Sequence, residues 1–154
     1  MRAFDPNVLD QTVKRFVALG HAADETGLQV LPEPALTVDR HAQQSTLERF
    51  GLRDAGMVVA LMPGAEYGPA KQWPVEYFAE LARLLTGQEV AVWILGSAIE
   101  AALGDAIAEG AGHPAVRNLC GETELVEAVD LLARAAVAVS NDSGLMHIAA
   151  AVGT

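Results

Sequence analysis

The run MVVALMPG, Met57 to Gly64, is six consecutive apolar residues cut off by proline and glycine. So short a stretch without polar alternation reads as a strand covered on both faces, as in a parallel sheet flanked by helices. The residues after it support that reading. Pro74 stands where a first helical position belongs, Glu76 falls in the first turn, and Val75, Phe78, Ala79, Ala82 and Leu85 recur at helical spacing until Gly87. The pattern then repeats. VAVWILG (Val90 to Gly96) reads as a second strand, and Ser97 with Glu100 makes a capping box that opens a helix bracketed by Gly110 and Gly112. AVRNLC (Ala115 to Cys120) is a shorter third strand, followed past Gly121 by a helix with Glu124 and Glu127 in its first turn and Arg134 in its last. AVAVS (Ala136 to Ser140) is a fourth strand, NDSG a tight turn, and LMHIAAAV a helix within which the chain is expected to stop.

Strict alternation of strand and helix implies an α/β fold, a Rossmann-like parallel sheet with right-handed crossovers and flanking helices. Ligands of such sheets sit at the carboxyl ends of the strands, so the loops after the first, second and fourth strands are where a site is expected. Residues before Gly51 are more polar and irregular. Asp5-Pro6 can open a helix with Val8, Leu9, Val13, Phe16 and Val17 as its apolar stripe, ending near Gly20, and LPEPALTV reads as an extended segment. Residues 1–50 are therefore expected to link, and residues 51–154 to form the folded domain.

Composition narrows the function. A chain of 154 residues can bury a core of its own, and the single cysteine, Cys120, excludes an internal disulfide framework and any multi-cysteine metal site. A reducing cytoplasm fits that usage. Twenty acidic against ten basic residues give a net charge of −10, and Lys14-Arg15 is the longest basic run, so binding to a nucleic-acid backbone is not expected. The opening MRAFDPNVLD lacks a basic stretch followed by an apolar one, and no apolar run reaches the ~18 residues that would span a bilayer.

Two loops carry chemistry. PGAEYGPAKQWP (Pro63 to Pro74) combines glycines that permit close backbone approach, Gly64 among them, one cation, Lys71, and a helix start whose amides attract anions. It has neither the Gly-Lys-Ser/Thr of a Walker loop nor a GxGxxG fingerprint, and a solvated turn with its lysine in water is the alternative. SNDSGLMH (Ser140 to His147) places Asp142, Ser143 and Gly144 at a strand-to-helix corner, where a hydroxyl and free amides can grip a diphosphate. His147, four residues after Ser143, shares its helix face and leans back toward it. The alternatives are helix caps at Asp142 and Ser143 and a structural histidine. Gly96 and Ser97 occupy the second strand end, Glu66 and Glu100 could touch ligand hydroxyls, and Glu100 is already explained by its capping box. His21, His41 and His113 read as surface residues and Cys120 as a small buried one.

Read in order, PGAEYGPAKQWP, NLCGETELVEAVDLLARA and SNDSGLMHIAAA resemble the motifs of the ADP-heptose:lipopolysaccharide heptosyltransferases of glycosyltransferase family nine, most of all the heptosyltransferase II group. The resemblance runs from about Asp5 onward and is loose over the first 50 residues. It implies the nucleotide-sugar-binding C-terminal half of a two-domain GT-B enzyme, inverting and independent of metal or other cofactor. By it, Lys71, Asp142, Ser143, Gly144 and His147 contact ADP-heptose: Lys71 the diphosphate or sugar, Asp142 heptose hydroxyls, Ser143, Gly144 and His147 phosphate. Gly64, Gly96 and Ser97 line the same site. Some relatives place a glutamate directly after the second-strand glycine, where Ser97 and Ala98 stand here, so no acidic ribose contact is carried over. The resemblance puts the catalytic base and the lipid A-core acceptor site in the N-terminal domain, so this chain is expected to hold donor, to be inactive alone and to be truncated before the domain's closing elements. It implies a cytoplasmic enzyme peripheral to the inner membrane and leaves the oligomeric state open. A non-catalytic nucleotide-binding α/β module, or a GT-B epimerase, is the alternative.

Overall fold

Every residue of β1 (Val58–Met62) is buried in the computed structural model, which describes residues 11–18, 20, 31, 33–65 and 69–154. Its side chains alternate between two cores. Val58, Ala60 and Met62 join Trp93, Leu95, Leu119, Leu131 and Leu132 on one face of the sheet, while Val59 and Leu61 join Phe78, Val92, Ile94, Ile107 and Val116 on the other. An apolar run without alternation is what a two-sided burial requires.

β2 (Ala91–Ile94), β3 (Val116–Asn118) and β4 (Val137–Ser140) complete a four-stranded sheet of order β3-β2-β1-β4, in which every pairing is parallel. The expected parallel α/β architecture is present. The strands are shorter than the apolar runs that mark them, because the ladder ends where each chain leaves for its loop while burial continues through Leu95 and Leu119. Helices α3 (Val75–Thr86) and α4 (Ala101–Ala111) cover one face, and α5 (Leu125–Arg134) and α6 (Gly144–Val152) the other. Glu124 and Glu127 form a capping box at the start of α5, and the last-turn Arg134 donates to the carbonyls of Ala55 and Gly56. The helix α6 does not run off the end of the chain: Gly153, at φ +85°, closes it, and the Thr154 N–H returns to the Ala149 carbonyl.

The chain divides into two compact units, Met1–Pro34 and Ala35–Thr154. In the first, α1 (Thr12–Ala18) exposes Val13 and Phe16. Val8 and Leu9, assigned to the same apolar stripe, lie outside the described residues. The second unit takes in α2 (Arg40–Arg49), a helix with no counterpart in the sequence pattern, which set the boundary near Gly51. Asp39 caps α2 by accepting from the N–H groups of His41 and Ala42 at 2.7 and 3.1 Å. It docks on α5 through polar bonds, Thr46 Oγ1 to Asp130 Oδ2 at 2.8 Å and Gln43 Nε2 to the Asp130 carbonyl at 2.9 Å. Only Thr46 and Leu47 of α2 are buried, which is why no apolar period betrays it.

Candidate active site

After β1 the chain crosses to β2 on one side, whereas β4 pairs with β1 on the other. The crevice at the carboxyl ends of β1 and β4 is thus the switch point where open α/β sheets bind ligands. Register brings Met62 opposite Ser140, so the loops that leave these strands start side by side. Across the crevice, Lys71 Nζ lies 2.5 Å from Asp142 Oδ2. Lys71 ends a short 3-10 turn (Pro69–Lys71), and both side chains remain about half exposed.

Asp142 holds its carboxyl below the usual carboxylate range, first through the Lys71 hydrogen bond, then through the Lys71 charge, with a smaller contribution from His147. A depressed carboxyl favours the folded protein above its ordinary titration range, and that contribution disappears as pH falls through the lowered value. Lys71→Met is therefore expected to move the Asp142 titration upward toward an ordinary aspartate. Carbon-detected NMR of the carboxyl would read it, and an unmoved midpoint would remove Lys71 as the cause.

Ser143 has extended backbone at the N-cap of α6, but its side chain makes no capping bond. Its hydroxyl instead lies 3.2 Å from Ser140 Oγ, which itself donates to the Asn141 carbonyl. Neither Ser143 nor the Lys71-paired Asp142 is spent on capping the helix. Gly144 opens α6, and a methyl group added to it would meet nothing within 4 Å, so the helix start faces open space. His147 is exposed on the helix turn above it.

Gly64, Gly96 and Ser97 gather one strand over, between the ends of β1 and β2, around a carboxylate. A methyl group on Gly64 would fall 1.4 Å from Glu100 Oε1, and one on Gly96 would fall 2.8 Å from Oε2. Glycine at both positions leaves room for that carboxylate. Ser97 donates to Oε2 from its N–H at 2.6 Å and from its hydroxyl at 2.9 Å. This is the reach-back half of the predicted capping box, but it closes a 3-10 turn (Ala98–Glu100) ahead of α4 rather than α4 itself. Beside the turn lies a cavity of about 480 Å³ lined by Ala65, Gln72, Ser97, Ile99, Glu100 and Leu103. The sequence gives Glu100 mainly a capping role; only the fold brings Gly64 and Gly96 to face it.

Asn141 was not singled out in the sequence at all, yet it is a buried polar residue that joins the two corners, beside the exposed Lys71–Asp142 pair. Only 8% exposed, it donates from Nδ2 to the Pro63 carbonyl at 2.7 Å and accepts the Trp73 N–H at Oδ1, 3.1 Å away. The Trp73 ring packs edge-on against Phe78 of α3 at 5.0 Å between centroids. Remaining candidates are silent. Burial, helped by Glu100, Asp105 and Glu122, pushes the Cys120 thiol up to about 12, which keeps it protonated and poorly nucleophilic. His41 is exposed, and His113 is exposed and accepts the Ala115 N–H. His21 and Glu66 lie outside the described residues. Among the described residues no three His, Cys, Asp or Glu side chains are placed to hold a metal ion.

The chain is similar to known proteins in sequence and in fold. The family profile described as glycosyltransferase family 9 (heptosyltransferase) matches residues 1–154. The chain is 42% identical over 151 residues to lipooligosaccharide heptosyltransferase 2 of Haemophilus influenzae, covering 91% of itself and 43% of that protein. It superposes on the structure of E. coli ADP-heptose lps heptosyltransferase II with a TM-score of 0.85 at 37% identity, over 98% of this chain and 48% of that one. E. coli heptosyltransferase WaaC with ADP is similar at a TM-score of 0.58 and 31% identity, over 65% of this chain and 30% of that one. The chain spans less than half the length of the curated relatives it matches.

Proposed function

The chain belongs to glycosyltransferase family 9, and from that premise we propose that it carries the donor site of a GT-B heptosyltransferase that moves heptose from ADP-heptose onto the lipopolysaccharide inner core. The observation that carries the proposal is the meeting of the Lys71 ammonium with the Ser143 corner at the β1/β4 switch point. A diphosphate entering there exchanges the Asp142 carboxylate for its own oxygens at Lys71 and takes the open amide end of α6 at Gly144. Asp142, released, accepts from heptose hydroxyls. Ser143 and His147 complete the phosphate contacts, and the nucleoside takes the cavity beside Glu100, whose carboxylate and the Ser97 hydroxyl in the lining are the groups offered to its hydroxyls in this scheme.

In the reaction proposed, a base deprotonates the acceptor hydroxyl, its oxygen attacks the anomeric carbon, and the bond from that carbon to the diphosphate breaks with inversion. Lys71 and the α6 amides stabilise the negative charge that collects on departing ADP, so no divalent ion is needed in this scheme. The base and the lipid A-core acceptor belong to the N-terminal domain by the family resemblance, with residues up to Pro34 as part of the interdomain segment. No helix among the described residues is long and apolar enough to cross a membrane. The proposed location is the cytoplasmic face of the inner membrane, reached peripherally.

Calorimetric titration with ADP, UDP and FMN, each with and without EDTA, tests the proposal. ADP is expected to bind tightest, with an affinity that EDTA leaves unchanged. Preference for UDP would point to an epimerase, FMN alone to a non-catalytic nucleotide module, and an EDTA-sensitive ADP affinity would overturn the metal-free scheme.

A further inference from the structure

We infer that Asn141 is a positioning residue: its carboxamide clamps both ends of the Lys71 loop against the β4 corner and thereby sets the distance over which a diphosphate is held. This rests on the donor-site proposal. The loop from β1 to α3 carries the cation, and the corner after β4 carries Asp142 and the start of α6, yet about 70 residues of chain separate the two. The β1–β4 ladder starts them side by side, and past its end bonds across the crevice keep them in register. Asn141 supplies one at each end of the loop, Nδ2 to the Pro63 carbonyl and Oδ1 from the Trp73 N–H. Its own N–H adds a third, to the Met62 carbonyl at 3.2 Å.

The chemistry needs a carboxamide. A donor and an acceptor must leave the same short side chain in two directions, and the carbonyl oxygen has to meet the N–H while the amide nitrogen has to meet the carbonyl, so the orientation is unique. Aspartate would lose the donor and add charge beside Asp142. Leucine would lose both bonds and leave the Pro63 carbonyl and Trp73 N–H without them. With the clamp released, the loop has more arrangements to give up when ligand binds, so contacts to the diphosphate weaken more than contacts to the nucleoside, four of whose six lining residues lie on the β2 side.

The test compares ADP with adenosine on the intact protein. Wild type is expected to prefer ADP, and Asn141→Leu to lose about fivefold in ADP affinity and less than about twofold in adenosine affinity, the size of one or two neutral hydrogen bonds. Asn141→Ser, small enough to be housed without strain, reads the same ratio should Asn141→Leu fail to fold. A wild type without preference for ADP sinks the donor-site reading. A wild type that prefers ADP, with variants that keep its ADP-to-adenosine ratio, sinks the clamp alone, and an equal fall in both affinities does the same because it marks a purely structural role.

Discussion

Lys71→Ala is expected to weaken ADP binding at least tenfold while leaving the unfolding midpoint nearly unchanged. The two halves of that expectation have different origins. In the free protein the Lys71–Asp142 pair is half exposed, and water screens such pairs so that they add little to stability, so removing the ammonium hardly touches the fold. Against a diphosphate at the switch point, a charge-assisted contact contributes about 1.5–3 kcal/mol, or roughly 10- to 150-fold. Gly64 to Trp73 contains no other cation, and the protein as a whole carries a charge of −10 that opposes an anion. Titration of the variant with ADP decides the matter. Undiminished affinity would remove Lys71 from the site.

Gly121→Ala is expected to destabilise the protein by roughly 2–5 kcal/mol, the largest effect on folding. Gly121 sits at φ +76°, where a side chain is strained, and its N–H holds the Gly96 carbonyl at 2.9 Å. A methyl group there would stand 2.7 Å from Ala98 Cα and 3.2 Å from Ala98 N, which are backbone atoms with no rotamer to retreat into. Gly112 separates the two contributions: at φ +64° its added methyl would meet only the Glu109 carbonyl, 3.9 Å away, so Gly112→Ala carries the conformational cost of about 1–2 kcal/mol and no clash. Urea unfolding of both variants should show Gly121→Ala as clearly the worse. Equal losses would mean that the packing against Ala98 yields freely. Because Ala98 begins the turn that presents Glu100, any Gly121→Ala protein that folds should also bind adenosine poorly.

Much of the architecture was legible because its signals are local. Pro74, Glu76 and the period of Phe78, Ala79 and Ala82 announce α3, and the unbroken run from Met57 to Met62 announces a central strand, since a strand buried on both faces has no polar side to show. The two corners with Lys71 and Asp142 could be picked out for the same reason: strand ends, glycines and helix starts succeed one another in the chain. The polar helix α2 escaped, because it is held by the Asp39 cap and by bonds to Asp130 rather than by an apolar stripe.

Asn141 and the setting of Glu100 could not be read, because their meaning depends on partners distant in sequence. Asparagine before Asp142 looks like any turn residue until Pro63 and Trp73 are brought to it, and Glu100 looks like a cap until Gly64 arrives opposite. The order of residues by itself determined a parallel α/β sheet and marked two strand-to-helix corners, since periodicity and helix-start chemistry act within a few residues. Tertiary structure alone decided that β4 lies beside β1 and not beyond β3, because strand order depends on which edge and which helix faces remain to be covered. That placement turns two separate corners into one crevice.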